Sequence, residues 1–125
     1  MQFFKIKRLQ YETDTWKRLL FFLMEETVQL KNLLTEILKE DFHNNCLPEL
    51  EDFQTRFIKQ DERIQLLRHE VAEFDRLLQR EIIEDGQLKK AVDRKINQLR
   101  NNITNAEQEF NQLQAAFNSY LLEKS

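Results

Sequence analysis

The fold is decided at residues 78–92, which read LQREIIEDGQLKKAV. On both sides of this stretch, apolar residues recur at intervals of three and four, the heptad pattern of helices that pack along one stripe. Gly86 is the only glycine of the chain and lies near the middle of the stretch. The chain therefore either continues through Gly86 as one long helix or turns back there.

Two features favour a turn. One continuous helix would place Glu81, Asp85 and Lys89 in a row on its apolar stripe. The apolar positions also mirror one another about Asp85, so that folding back pairs each heptad position a with a position d, as in antiparallel coiled coils. We therefore predict a helical hairpin. Its predicted pairs run outwards from the turn as Leu78 with Val92, Phe74 with Ile96, Val71 with Leu99, Phe53 with Phe117 and Leu50 with Tyr120.

A second break lies at residues 43–48, which read HNNCLP. Asparagine tolerates the left-handed conformation that ends helices, and proline is favoured in the first turn of a helix. The two breaks predict one helical domain over residues 1–125, with helices at about 3–42, 48–84 and 87–122. We expect an all-α fold, an antiparallel three-helix bundle of long, coiled-coil-like helices.

The start of the first helix has two possible positions. Its apolar stripe covers residues 16–37, and Leu9 and Ile6 continue the same period towards the N-terminus. The Thr-Asp-Thr cluster at 13–15 could instead cap a shorter helix, which would leave residues 3–13 as a separate arm. We favour the longer helix because its length matches that of the other two.

Two polar residues interrupt the predicted stripes. Thr27 lies on the stripe of the first helix and Gln60 on that of the second, and the antiparallel register places them opposite each other near Phe110. A buried polar pair often fixes the register of packed helices at a cost in stability. We therefore expect a polar layer inside an otherwise apolar core.

The composition supports long helices. The chain has 125 residues with one glycine and one proline, whereas an average soluble chain of that length has about nine glycines and six prolines. Turn-rich β-sandwiches and barrels are excluded, because their tight turns need these residues. The longest apolar run, Leu19–Met24, is far shorter than the roughly 20 residues that span a bilayer, so we expect no membrane span.

Charge and cysteine content bound the partners and the compartment. The net charge of −3 arises from 19 basic and 22 acidic residues, which leaves no overall field to hold nucleic acid phosphates. The one cysteine, Cys46, cannot form an internal disulfide, which favours a reducing compartment such as the cytoplasm. Lys5, Lys7 and Arg8 occupy the place of the apolar region of a signal peptide, so none is expected.

Few residues could form a catalytic, metal-binding or nucleotide-binding site. Glu40 and His43 form one Glu-x-x-His motif, whereas di-metal helical bundles use two such motifs and further carboxylates. His69 lies outside the predicted stripe, as a phosphorelay histidine would. No glycine-rich loop is present to cradle a nucleotide phosphate. We expect a protein that is not an enzyme, with no cofactor, metal or small-molecule substrate. The alternative is a phosphorelay or metal-dependent bundle that uses His69 or Glu40 with His43.

The unusual feature is the far side of the first helix. With Leu20 at position a of the heptad, aromatic side chains fall at positions b, c and f, which point away from the stripe. We call this set the aromatic face: Phe4, Tyr11, Arg18, Phe21 and Phe22. Exposed aromatic clusters mark contact surfaces. The alternative is that the core reaches round to these rings, or that the register of the first helix is shifted.

The aromatic face predicts the function class. We expect a non-enzymatic protein–protein interaction or scaffold module that forms a dimer or other homo-oligomer through this face, or grips a protein partner with it.

Overall fold

The computed structural model describes residues 2–40, 47–84 and 90–124, with side chains over 4–40, 47–80 and 92–124. Three helices account for all of these residues: α1 (Gln2–Glu40), α2 (Leu47–Glu84) and α3 (Lys90–Lys124). α2 runs antiparallel to both α1 and α3, and the three pack together as the predicted all-α three-helix bundle. The contact between α1 and α3 is the least extensive of the three.

The helix ends differ slightly from the predicted ones. α1 begins at Gln2 and continues through Thr13, whose Oγ1 donates to the carbonyl of Leu9 at 2.8 Å rather than capping a helix. α2 begins at Leu47, one residue earlier than predicted, which leaves Pro48 in the first turn, where no N–H is required. α3 ends at Lys124, two residues later than predicted. The predicted ends at 41–42 and 87–89 lie outside the described residues.

The buried residues follow the predicted heptads along all three helices. Leu20, Val71 and Leu99 are completely buried near the middle of the bundle. Predicted core positions that are only half-buried, Leu30, Ile37 and Tyr120, lie towards the end where α1 stops and α2 starts. Every other predicted stripe position from Ile6 to Phe117 whose side chain is described is buried.

Aromatic rings pack together where α2 begins and α3 ends. The ring of Phe117 lies 5.1 Å from the rings of both Phe53 and Phe57, in edge-to-face arrangements. Phe53 also lies 5.4 Å from Tyr120. In one straight helix Phe53 and Phe117 would be about 96 Å apart, so these contacts confirm the hairpin and exclude the continuous helix.

Ion pairs between neighbouring helices flank the core. Lys17 Nζ lies 2.6 Å from Asp75 across α1 and α2, and Arg63 Nη1 lies 2.6 Å from Glu109 Oε1 across α2 and α3. Two pairs bridge α1 and α3: Lys5 with Asp93, and Glu12 with Arg100. Exposed pairs of this kind stabilise a fold by only about 0–1 kcal/mol each. Their main effect is to favour one register, as charges beside a coiled-coil stripe do.

Both residues of the predicted polar layer are buried, but each bonds to backbone. Thr27 Oγ1 donates to the carbonyl of Leu23, one turn earlier in its own helix, at 2.7 Å. Gln60 Nε2 donates to the carbonyl of Ala106 on α3 at 3.1 Å. Among the described side chains, no hydrogen bond joins Thr27 to Gln60. Gln60 therefore ties α2 to α3 rather than to α1.

Replacing Gln60 with leucine should stabilise the bundle. The leucine keeps a similar volume and no longer requires burial of an amide held by one hydrogen bond to Ala106. We expect a gain of about 1 kcal/mol, or a rise of about 4 °C in the melting temperature followed by circular dichroism. The control, Gln98→Leu on the exposed side of α3, should leave the melting temperature unchanged. A lower melting temperature for Gln60→Leu would contradict this account.

Candidate interaction surface

The aromatic face follows from the periodicity of α1. Residues seven apart lie nearly one above another on a helix, so Phe4, Tyr11 and Arg18 form a row along α1. This row lies opposite the buried stripe. Phe21 and Phe22 follow Arg18 along α1. Phe21 lies on the side nearer α2, and Phe22 lies on the side nearer α3.

All four rings of the aromatic face are exposed. The exposed fractions are 74% for Phe4, 70% for Tyr11, 47% for Phe21 and 54% for Phe22, whereas neighbouring Leu20 is completely buried. The core does not reach round to these rings, and the predicted register of α1 is confirmed. Arg18 is exposed beside them and donates from Nη2 to Thr15 Oγ1 at 3.2 Å.

A groove between α1 and α2 borders the aromatic face on one side. Its volume is about 460 Å³, and Phe21 forms one wall. Its other apolar lining residues include Val71 and Ala72 of α2. On the rim, Arg68 Nη1 lies 2.9 Å from Met24 Sδ and 3.1 Å from Gln65 Oε1. Sequence reasoning missed this groove because most of its lining comes from a second helix.

A shallow hollow between α1 and α3 borders the other side. It has a volume of about 610 Å³, and its lining includes Tyr11 and Trp16. Arg100 spans it and donates to both carboxylate oxygens of Glu12, at 2.7 and 2.8 Å. The hydrogen bonds to Glu12 hold the pKa of the Arg100 guanidinium above its usual value, against the opposing effect of partial burial. This ion pair links α1 to α3, two helices that are otherwise in limited contact.

The residues considered for chemistry are not brought together. His69 is exposed on α2, and its Nε2 lies 3.0 Å from Glu73 Oε1 one turn along the same helix. Glu40 is exposed at the last residue of α1, and His43 lies outside the described residues, so the Glu40–His43 pair is not placed. In the part of the chain that the structure describes, no group of three or more His, Cys, Asp or Glu residues could hold a metal ion.

Over the same described ranges, none of the three helices has a stretch long and apolar enough to cross a membrane. Comparison with protein-family models, curated proteins and solved structures found no match to this chain. Its function therefore has to be argued from the geometry of the bundle and its surface.

Serine substitutions should separate surface from core on α1. Changing both Phe21 and Phe22 to serine should lower the unfolding free energy of the monomer by about 1–2 kcal/mol per ring, because each ring is already about half exposed. Leu20→Ser should cost at least about 3 kcal/mol, because it leaves a cavity and buries a hydroxyl.

Guanidinium unfolding at low protein concentration measures both effects without a contribution from association. Unfolding of the Phe21→Ser/Phe22→Ser chain would show that the rings belong to the core.

Proposed function

We propose that the protein is a cytoplasmic, non-enzymatic interaction or scaffold module that self-associates through the aromatic face of α1. The observation that supports this most strongly is the exposure of four aromatic rings on one helix face, next to a core whose heptad stripes are filled. Single exposed apolar residues are ordinary on protein surfaces, but a row of large rings marks a contact surface.

The energy available on this face is enough for association. Covering the exposed part of one ring contributes about 2 kcal/mol, at roughly 25 cal/mol per Å² of apolar area. Association itself costs about 4–15 kcal/mol of translational and rotational freedom. Four rings therefore supply a contribution of the required size, and Arg18 adds a residue type common among the dominant contacts of interfaces.

A second copy of the chain is the simplest partner. A two-fold axis buries the same surface on both copies, so one exposed patch is sufficient to build a closed dimer. A different protein would need a groove shaped for the rings and acidic groups for Arg18, so such an acidic partner is the alternative occupant.

The phosphorelay alternative has weaker support. His69 is exposed, as such a histidine must be, but the carboxylate of Glu73 lies against its Nε2. A negative charge at that atom opposes the approach of a phosphoryl group. The surroundings of His69 therefore favour a solvated surface residue over a group that accepts phosphate.

Sedimentation tests the proposal directly. The wild-type chain should sediment as a dimer at high concentration, and Phe21→Ser/Phe22→Ser should sediment as a folded monomer, because the serines remove two of the four exposed rings. The matched control is Leu66→Ser on α2, which removes an apolar side chain 57% exposed but away from the aromatic face. This control should leave the dimer intact. A wild-type chain that stays monomeric at high concentration would contradict self-association.

A further inference from the structure

The inference concerns how the second copy is oriented, and it rests on the proposed self-association. Phe21 and Phe22 lie at the midpoint of α1, which runs from Gln2 to Glu40. The charges on the two sides of this midpoint differ in sign. Residues 2–22 hold five basic and two acidic side chains, whereas residues 23–40 hold two basic and four acidic ones.

The other two helices preserve this polarity along the bundle. The half that contains 2–22 of α1 also contains 66–84 of α2 and 90–106 of α3, and together these hold 12 basic and 8 acidic residues. The other half, made of 23–40, 47–65 and 107–124, holds 6 basic and 12 acidic residues. The bundle is therefore positive towards one end of its long axis and negative towards the other.

Exposed charges on the outer side of α1 are available to a partner. Lys5, Glu12, Lys17 and Lys31, beside the core, make ion pairs with α2 or α3. Farther out on the same helix, Arg8 and Arg18 are exposed before the central rings, and Glu25 and Glu36 are exposed after them. No ion pair between described residues holds any of these four.

We propose that two copies pack with their α1 helices antiparallel, about a two-fold axis that passes beside Phe21 and Phe22. This arrangement brings Arg18 level with Glu25 of the second copy, and Arg8 level with the turn that holds Glu36 of the second copy. Symmetry forms each contact twice. Tyr11 then lies beside Asn32 of the second copy, and the central rings pack around the axis.

Charge favours the antiparallel arrangement over a parallel one. A two-fold axis along the helix would place Arg18 against Arg18 and Glu25 against Glu25, and like charges in contact are costly. The antiparallel axis instead lays the positive half of each bundle over the negative half of the other. Because the rings are at the midpoint, the two α1 helices overlap along their whole length of about 58 Å.

Charge reversal tests the orientation. Arg18→Glu places two glutamates opposite each other in the homodimer, and Glu25→Arg places two arginines there. Each variant alone should dimerise at least about tenfold more weakly than the wild type. An equimolar mixture should form a heterodimer of nearly wild-type affinity, because each copy then meets the opposite charge. The double variant Arg18→Glu/Glu25→Arg should also recover the homodimer. Sedimentation gives the affinities, and native mass spectrometry separates the heterodimer from the homodimers.

Matched controls lie on the outer side of α2. Arg76→Glu and Glu62→Arg reverse exposed charges at the equivalent heptad position of α2, and neither should weaken the dimer.

If Phe21→Ser/Phe22→Ser abolishes the dimer but neither Arg18→Glu nor Glu25→Arg alone dimerises more weakly than the wild type, the antiparallel arrangement is overturned while self-association stands. If the wild-type chain is monomeric, both proposals are overturned.

Discussion

In a bundle of three helices, each helix buries the stripe that faces its two neighbours and leaves its far side in water. α2 and α3 match this limit, since most of their apolar residues lie on one stripe, from Leu50 to Leu78 and from Val92 to Phe117. α1 carries one apolar stripe for the core and a second set of large rings on the opposite side. The three-helix arrangement buries the first stripe and leaves the second set of rings exposed to water.

Each helix buries only one stripe because α2 and α3 form a hairpin against which α1 packs. A single helix from 48 to 122 would leave the stripes of both halves exposed, whereas the antiparallel pairing of α2 and α3 packs Phe53 and Phe57 against Phe117. Once α2 and α3 are paired, α1 lies along the groove between them. Lys17–Asp75 and Glu12–Arg100 then hold the orientation in which the aromatic face points outwards. The exposure of the rings is therefore a consequence of the same register that fills the core.

Heptad spacing and the two breaks were sufficient to predict the helix number, the antiparallel hairpin and nearly all buried positions. They also placed Phe4, Tyr11, Phe21 and Phe22 outside the core, because the period of the apolar residues determines which face of a helix is buried. What they could not predict depends on the rotation and separation of neighbouring helices. The hydrogen bond from Gln60 to Ala106, the contact of Arg68 with Met24, and the hollow spanned by Glu12 and Arg100 are of this kind. The heptad pattern predicted that Thr27 and Gln60 share a polar layer. It could not show that backbone carbonyls accept their hydrogen bonds instead.

The bundle is positive towards one end and negative towards the other, and the central rings Phe21 and Phe22 provide a contact surface between the two ends. Together they describe a protein whose surface is complementary to itself when one copy is reversed. Small-angle X-ray scattering of the wild-type chain at high concentration tests most directly whether two copies pack side by side along α1. The account predicts twice the single-chain mass of 15.3 kDa and a maximum dimension close to that of one bundle, because the two α1 helices overlap fully. A single-chain mass at every concentration, or a particle about twice as long as one bundle, would contradict it.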